Sequence, residues 1–277
     1  KTGVGMMECK KALVTANGDM EAAIEALRKA GQAKAVKKGD RIAAEGLVTI
    51  ALSPDQLTGV IVETNCETDF VGREARFREF CKNVAATALN KQSENIADDL
   101  EDDRLALVSQ IGENINIRRI TIVKADAGGV VVPYLHGADA EFSRIGVLVA
   151  VNPGNADLAR DIAMHIAAMK PEYLSEADIP KDRLAKEKEI LMAQAKEANA
   201  GKPEEILEKI ITGRLNKFMQ EVTLLGQPFV KDPDQTVAKL LKSANTNVTN
   251  YVRYEVGEGI EKKVDDFVNE VMSQVKS

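Results

Sequence analysis

Two histidines, three cysteines and one closely spaced acid pair are the residues in this chain whose types could do chemistry. His165 lies in Ile162-Ala163-Met164-His165-Ile166, where a structural ring on a predicted helix is the expected reading. His136 ends a predicted strand before Gly137 and is a candidate partner contact; no cysteine pair or second histidine near it has metal-ligand spacing. Cys66 is close to Asp69, yet no neighbouring base would activate its thiol. Glu67 and Asp69 are the pair a hydrolase would need, but acids in a loop without a pocket signature read first as solvated. Neither Gly-x-x-x-x-Gly-Lys-[Ser/Thr] nor Gly-x-Gly-x-x-Gly occurs, so a nucleotide would have to bind on another protein. No catalytic residue, metal site or cofactor is predicted.

The same loop carries a different kind of candidate. In Asn65-Cys66-Glu67-Thr68-Asp69-Phe70-Val71, Phe70 falls outside the periods of both flanking elements. On spacing alone the ring either plugs a gap in its own core or is presented to a partner. An internal repeat helps to choose. Gly146-Val147-Leu148-Val149-Ala150-Val151-Asn152 echoes Gly59-Val60-Ile61-Val62-Glu63-Thr64-Asn65 at one offset, since 146 − 59 and 152 − 65 are both 87. The following helices, Val84-Ala85-Ala86 and Ile166-Ala167-Ala168, are offset by 82, so the first copy's loop is longer by five residues. Added loop length costs little, and loops on a rigid scaffold carry recognition, which favours the partner reading.

The elements that must position this loop follow from the period. Met6, Cys9, Leu13 and Ala16 form one helical stripe, Asn17-Gly18 turns, and Asp19 caps a second helix through Leu27. Two short helices bury too little to stand alone, so a further helix is expected ahead of Lys1, where the sequence shows no secretory signal and reads like the middle of a domain. Met6 and Met7 either lie in this small core or form an adaptable apolar contact; core is the expected place for one methionine, less so for two adjacent ones, which cannot both face inward on a helix. A basic connection holding Lys34, Lys37, Lys38 and Arg41 reads as a solvated linker.

Leu47–Leu52 and the strand from Gly59 then form a hairpin, a helix carries Phe77 and Phe80, and Asn116–Ile122 returns as a strand. The second copy opens with Gly129–His136, continues through the Gly146 strand and a helix from Ala156 to Met169, and ends with a late strand at Tyr251–Val256. Between them, helices from Asp182 to Asn199 and from Pro203 to Leu225 are joined at Ala200-Gly201-Lys202-Pro203 as an antiparallel hairpin. Its seam is predicted from Leu184, Ile190, Leu191, Gln194 and Ala195 facing Ile206, Ile210, Leu215 and Phe218. Positions 260, 264, 267, 268, 271 and 275 form the stripe of a terminal amphipathic helix.

Size and charge bound the function. With 277 residues, 44% hydrophobic and 29% charged, the chain reads as a soluble globular protein of two or three domains. A net charge of −6 argues against a general nucleic-acid binder, and no apolar run reaches the roughly 18 residues of a membrane span. Three cysteines make no disulfide framework, which suits a reducing, cytoplasmic setting.

Thr2-Gly3-Val4-Gly5-Met6-Met7-Glu8-Cys9-Lys10-Lys11-Ala12-Leu13, Thr68-Asp69-Phe70-Val71, Gly112-Glu113-Asn114-Ile115-Asn116-Ile117-Arg118-Arg119, His136-Gly137, Gly226-Gln227-Pro228-Phe229-Val230 and Val256-Gly257-Glu258-Gly259-Ile260-Glu261 occur in this order. In these six motifs the chain resembles the bacterial elongation factor Ts family along essentially its whole length. The resemblance implies an α+β fold: a small ubiquitin-associated-like helical domain over 1–42, core halves over 43–127 and over 128–172 with 226–258, an inserted helical hairpin over 173–225, and a C-terminal helical module over 259–277. It also implies a guanine-nucleotide exchange factor for elongation factor Tu, in its GDP-bound and nucleotide-free states. Thr68, Asp69, Phe70 and Val71 would displace the partner's Mg²⁺. Met6, Met7 and Val230, with the terminal helix, would contact its nucleotide domain, and His136 a more distant part. The turn Ala138-Asp139-Ala140-Glu141-Phe142-Ser143 extends beyond the family's pattern. A non-catalytic adaptor and a hydrolase using Glu67 and Asp69 are the alternative readings.

Overall fold

The computed structural model describes residues 6–198 and 203–261. Helix α1 (Met6–Thr15) passes through Asn17 and Gly18, both at positive φ, into α2 (Met20–Val36). Asp19 caps α2, its Oδ1 accepting the N–H groups of Glu21 at 2.9 Å and Ala22 at 3.1 Å. No residue of α1 is buried, and the pair leaves an open apolar groove lined by Ala12, Ala16, Ala26 and Leu27. The helix expected ahead of Lys1, the Thr2–Gly5 part of the first motif, the Ala200-Gly201-Lys202 turn and the terminal helix all lie outside the described residues.

The centre is a pair of three-stranded antiparallel sheets. Strands β1 (Glu45–Leu52), β2 (Thr58–Cys66) and β3 (Asn116–Lys124) form one, with β2 in the middle. Strands β4 (Val130–Leu135), β5 (Ile145–Asn152) and β8 (Asn247–Glu255) form the other, with β5 in the middle. Helix α3 (Ala75–Lys91), backed by α4 (Glu101–Ile111), covers the first sheet through Phe77, Cys81 and Val84. Helix α5 (Ala156–Met169) covers the second through Ile162, Ala163 and Ile166. The inner faces meet through Val48, Ile61, Val123, Val131 and Leu148, giving helix, sheet, sheet and helix layers.

The repeat is visible in the backbone. β2 and β3 shift register between Glu63 and Thr64, and β5 and β8 between Ala150 and Val151; 150 − 63 and 151 − 64 are again 87. Gly59 and Gly146, related by that offset, let the sheets approach: a Cβ on Gly59 would lie 2.9 Å from Val131 Cγ1, and one on Gly146 2.5 Å from Val48 Cγ1. Residues 67–74 connect β2 to α3, whereas only 153–155 connect β5 to α5, which is the five-residue difference the two sequence offsets imply.

Helices α6 (Lys181–Ala198) and α7 (Glu204–Val222) leave the second half as an arm. Backbone bonds from Leu224 N to Tyr173 O (2.8 Å) and Leu225 N to Leu174 O (3.1 Å) close its base. The seam holds Leu191, Ala195 and Ile211, with Leu207, Ile210 and Leu215 beside them. Ile190 and Ile206, predicted for the seam, are exposed instead. A helix rotates about 100° per residue, so adjacent apolar pairs such as Ile190-Leu191 and Ile210-Ile211 leave the facing residue undetermined by sequence. The chain then forms a short ribbon, β6 (Pro228–Phe229) with β7 (Asp232–Thr236), and α8 (Val237–Ser243) before β8.

Candidate partner-binding surface

The connection after β2 is pinned from both sides, and this leaves one ring outside. Val71 is buried with the core of the first half, and a single 3₁₀ turn follows, with Arg73 N bonded to Phe70 O at 3.0 Å and Glu74 N to Val71 O at 2.9 Å. Upstream, the Glu113 carboxylate accepts the N–H groups of Glu67 and Thr68, both at 3.0 Å, and the Thr68 hydroxyl at 2.6 Å. Glu67 answers by accepting Asn114 N–H at 2.6 Å. Between these anchors Phe70 is 76% exposed, so it does not fill a gap in its own fold. Val71 points the other way: of the four residues Thr68 to Val71, it serves as the anchor of the loop rather than as exposed surface.

The chemistry open to this loop is correspondingly narrow. Glu67 is engaged by Asn114 and, at 3.5 Å, by Arg41; Asp69 pairs with Arg73 at 3.4 Å. Burial first, then the negative charge of Glu113, pushes the Cys66 thiol up to about 12; burial likewise raises Cys81 to about 12. Neither thiol ionises near neutrality. Among the described residues no group of three or more His, Cys, Asp and Glu side chains is placed to hold a metal ion. No described helix is long and apolar enough to cross a membrane.

The segment that pins the loop also receives the N-terminal helices. Lys38 Nζ donates to Gly112 O at 2.7 Å, and Asn114 Nδ2 to Arg41 O at 2.7 Å. Gly31 lets α2 close on α4, since a Cβ at this position would lie 2.7 Å from Ser109 Oγ. Met6 and Met7 thus project, 86% and 75% exposed, from a helical pair whose support is shared with the Phe70 loop.

Val230 is exposed, and its backbone is set by His165, which is fully buried. Val230 N–H donates to His165 Nδ1 at 3.1 Å, and the other ring nitrogen faces Gln227 Oε1 at 2.9 Å. His136 is exposed, with Tyr134 Oη 3.1 Å from its Nδ1. Sequence reasoning missed the roles of Glu113, Asn114 and Gln227. Each lies in one of the six motifs, but the loop residues, linker carbonyls and imidazole that they hold are 45 to 75 positions away in the chain.

Within β2, three residues before the strand ends at Cys66, Glu63 is completely buried and accepts from Arg119 Nε at 2.6 Å, Gly257 N at 2.8 Å, Asn65 Nδ2 at 2.9 Å and Arg118 Nη1 at 3.0 Å. Burial alone would raise its pKa; the Gly257 and Asn65 bonds and the Arg119 charge outweigh it and leave the carboxyl below its usual range. This carboxylate fixes the backbone of Gly257, just after β8.

The chain matches the family described as Elongation factor TS over residues 67–258. It is similar to the elongation factor Ts of Thioalkalivibrio sulfidiphilus (strain HL-EbGR7), at 50% identity over 285 aligned positions, and to that of Halorhodospira halophila (strain DSM 244 / SL1), at 53% over 285. The elongation factor Ts of Legionella pneumophila (strain Paris) is 53% identical over 287 aligned positions. Each alignment takes in all of this chain and 95% of the relative.

Proposed function

Because the chain belongs to the elongation factor Ts family, and so to the factors of translation elongation, we propose that it is a guanine-nucleotide exchange factor for elongation factor Tu. It binds the GDP-bound and nucleotide-free partner, acts in the cytoplasm by protein contact, and makes or breaks no covalent bond. The observation that carries this reading is Phe70: a large ring, 76% exposed, on a loop whose backbone is tied down on both sides. A rigid exposed aromatic suits insertion between elements of another protein, because little conformational freedom is lost on binding.

In this mechanism Phe70 wedges beside the partner's Mg²⁺ and switch region, with Thr68 and Asp69 presenting the loop and Val71 anchoring it. Mg²⁺ bridges phosphate oxygens and protein ligands, so disturbing its site loosens GDP. Burying one Phe side chain contributes roughly 1.5–3 kcal/mol, equivalent to roughly ten- to a hundred-fold in affinity. That is too little to eject a tightly held nucleotide alone. Met6, Met7 and Val230, together with the terminal helix predicted from the sequence, supply further contact to the nucleotide domain, and His136 to a more distant part. Coupling is reciprocal: factor and nucleotide each weaken the other's binding. The division into a ubiquitin-associated-like domain (1–42), two core halves (43–127; 128–172 with 226–258), an inserted hairpin (173–225) and a C-terminal module (259–277) belongs to the same proposal.

Stopped-flow release of fluorescent GDP from elongation factor Tu, at several Mg²⁺ concentrations, tests this. Phe70→Ala is expected to slow release about tenfold or more while weakening complex formation less. Equal release rates for variant and parent would remove the wedge.

A further inference from the structure

We propose that Arg78 is a positioning residue for the Phe70 loop, and that it is itself held by a strap, residues 138–143, reaching across from the other half of the core. This inference rests on the exchange reading and deepens it. Arg78 lies in the first turn of α3, and its guanidinium has two targets. Nε donates to Gly72 O at 3.1 Å, inside the turn that carries Phe70, and Nη1 donates to Asp139 Oδ2 at 3.1 Å. The same group lies 4.9 Å from the centre of the Phe142 ring.

The strap is built to hold that position. Asp139 Oδ1 accepts the N–H groups of Glu141 at 3.0 Å and Phe142 at 3.2 Å, which orients the carboxylate. Phe142 belongs to the hairpin between β4 and β5, yet it is buried in the core beneath α3. Lys82 adds a bond to Glu141 at 2.8 Å. Ser143 exchanges backbone bonds with Val48 in the other sheet, at 2.7 and 3.3 Å, and its hydroxyl donates to His136 O. One guanidinium therefore joins the wedge loop to a strap whose last residue, Ser143, bonds to His136 O.

Ordinary surface stabilisation does not account for the Arg78–Asp139 pair. Both side chains are over a third exposed, and such pairs contribute little to stability. What the pair supplies is geometry: the rigid fork of arginine reaches a carbonyl and a carboxylate at once, which a lysine ammonium on a flexible stem does not reproduce.

The test compares parent, Arg78→Ala, Arg78→Lys and Asp139→Asn by two readouts. One is GDP release from elongation factor Tu across factor concentrations; the other is hydrogen–deuterium exchange of residues 67–74 in the factor alone. Arg78→Ala is expected to lower the saturating release rate about tenfold, because small misplacement of a reacting element is costly, with the half-saturating concentration within about twofold of the parent. Amide exchange in 67–74 rises, Arg78→Lys restores neither readout, and Asp139→Asn falls between parent and alanine. An unchanged saturating rate, full rescue by lysine, or a change confined to the half-saturating concentration would each overturn the proposal, the last by making Arg78 a direct partner contact. Should Arg78→Ala fail to fold, Asp139→Asn decides on the same criteria. A parent that does not accelerate GDP release defeats the exchange reading instead, and unchanged amide exchange in Arg78→Ala then defeats the positioning role separately.

Discussion

Nδ1 of His165 accepts the backbone N–H of Val230 at 3.1 Å, and this contact determines where the ring carries its proton. A peptide N–H only donates, so the hydrogen sits on Nε2 and is donated to Gln227 Oε1 at 2.9 Å. Gln227 in turn donates to Glu221 O at 2.7 Å, at the end of α7. A buried neutral imidazole thus joins the helical arm's exit to the loop that presents Val230.

That arrangement makes stability depend on pH in a stated direction. Burial depresses the His165 pKa below 6.5, and the Gln227 bond only partly offsets it. The unfolded chain therefore binds a proton at a higher pH than the folded one. The contribution of His165 is fully present above about pH 6.5 and is lost as pH falls from there through the lower folded value. Urea denaturation of parent and His165→Leu between about pH 7.5 and 5 should show a stability gap that narrows as the pH drops. The variant itself is expected to lose about 1–3 kcal/mol at neutral pH, since Val230 N–H and Gln227 lose their partner.

Neighbouring residues in the wedge loop should separate stability from activity. Phe70 is exposed and Val71 buried, so Phe70→Ala is expected to move unfolding free energy by less than about 0.5 kcal/mol. Val71→Ala removes buried methyls and should cost about 1.5–3 kcal/mol. Denaturant midpoints set beside GDP-release rates check this: Phe70→Ala combines parental stability with slow release, whereas any slowing in Val71→Ala comes with a loss of stability.

How far the sequence reveals this depends on whether a residue's role is periodic or long-range. The two sheets were legible because Gly59–Asn65 and Gly146–Asn152 are β-rich, match at one offset and are bounded by turns. The extra loop length was legible as a difference of two offsets. The β6–β7 ribbon was not, since Asp232-Pro233-Asp234-Gln235-Thr236 has no apolar period at all. Val71 reads as part of the same motif as Phe70, and only packing shows the two side chains going opposite ways. Glu113 bonds to residues 45 and 46 positions away, a relation set by tertiary structure rather than by any local pattern.

The contact between the two halves offers a steric test. Gly146→Ala would place a Cβ 2.5 Å from Val48 Cγ1, in the opposing sheet. Overpacking of this kind costs about 1–3 kcal/mol. Val48→Ala alone leaves a void and is also destabilising, but the double variant should be more stable than the sum of the two changes implies. A double-mutant cycle from urea denaturation measures that coupling; strict additivity would mean that the sheets adjust without meeting at this pair.

Glu113 can organise the wedge loop by its charge or by its acceptors, and two substitutions separate these roles. Its Oε2 takes both the Glu67 and Thr68 N–H groups, and its Oε1 takes the Thr68 hydroxyl. Glu113→Ala leaves two backbone donors in a partly buried setting without their partner and should cost about 1–3 kcal/mol, with a fall in GDP-release rate as Thr68 to Phe70 loosens. Glu113→Gln keeps one carbonyl oxygen for the two N–H groups. Its amide then faces the Thr68 hydroxyl, which can rotate to accept instead of donate. Glutamine is therefore expected to retain most of both stability and release rate. If it proves as damaging as alanine, the carboxylate's charge holds the loop, and exchange by the parent should then weaken as salt is raised.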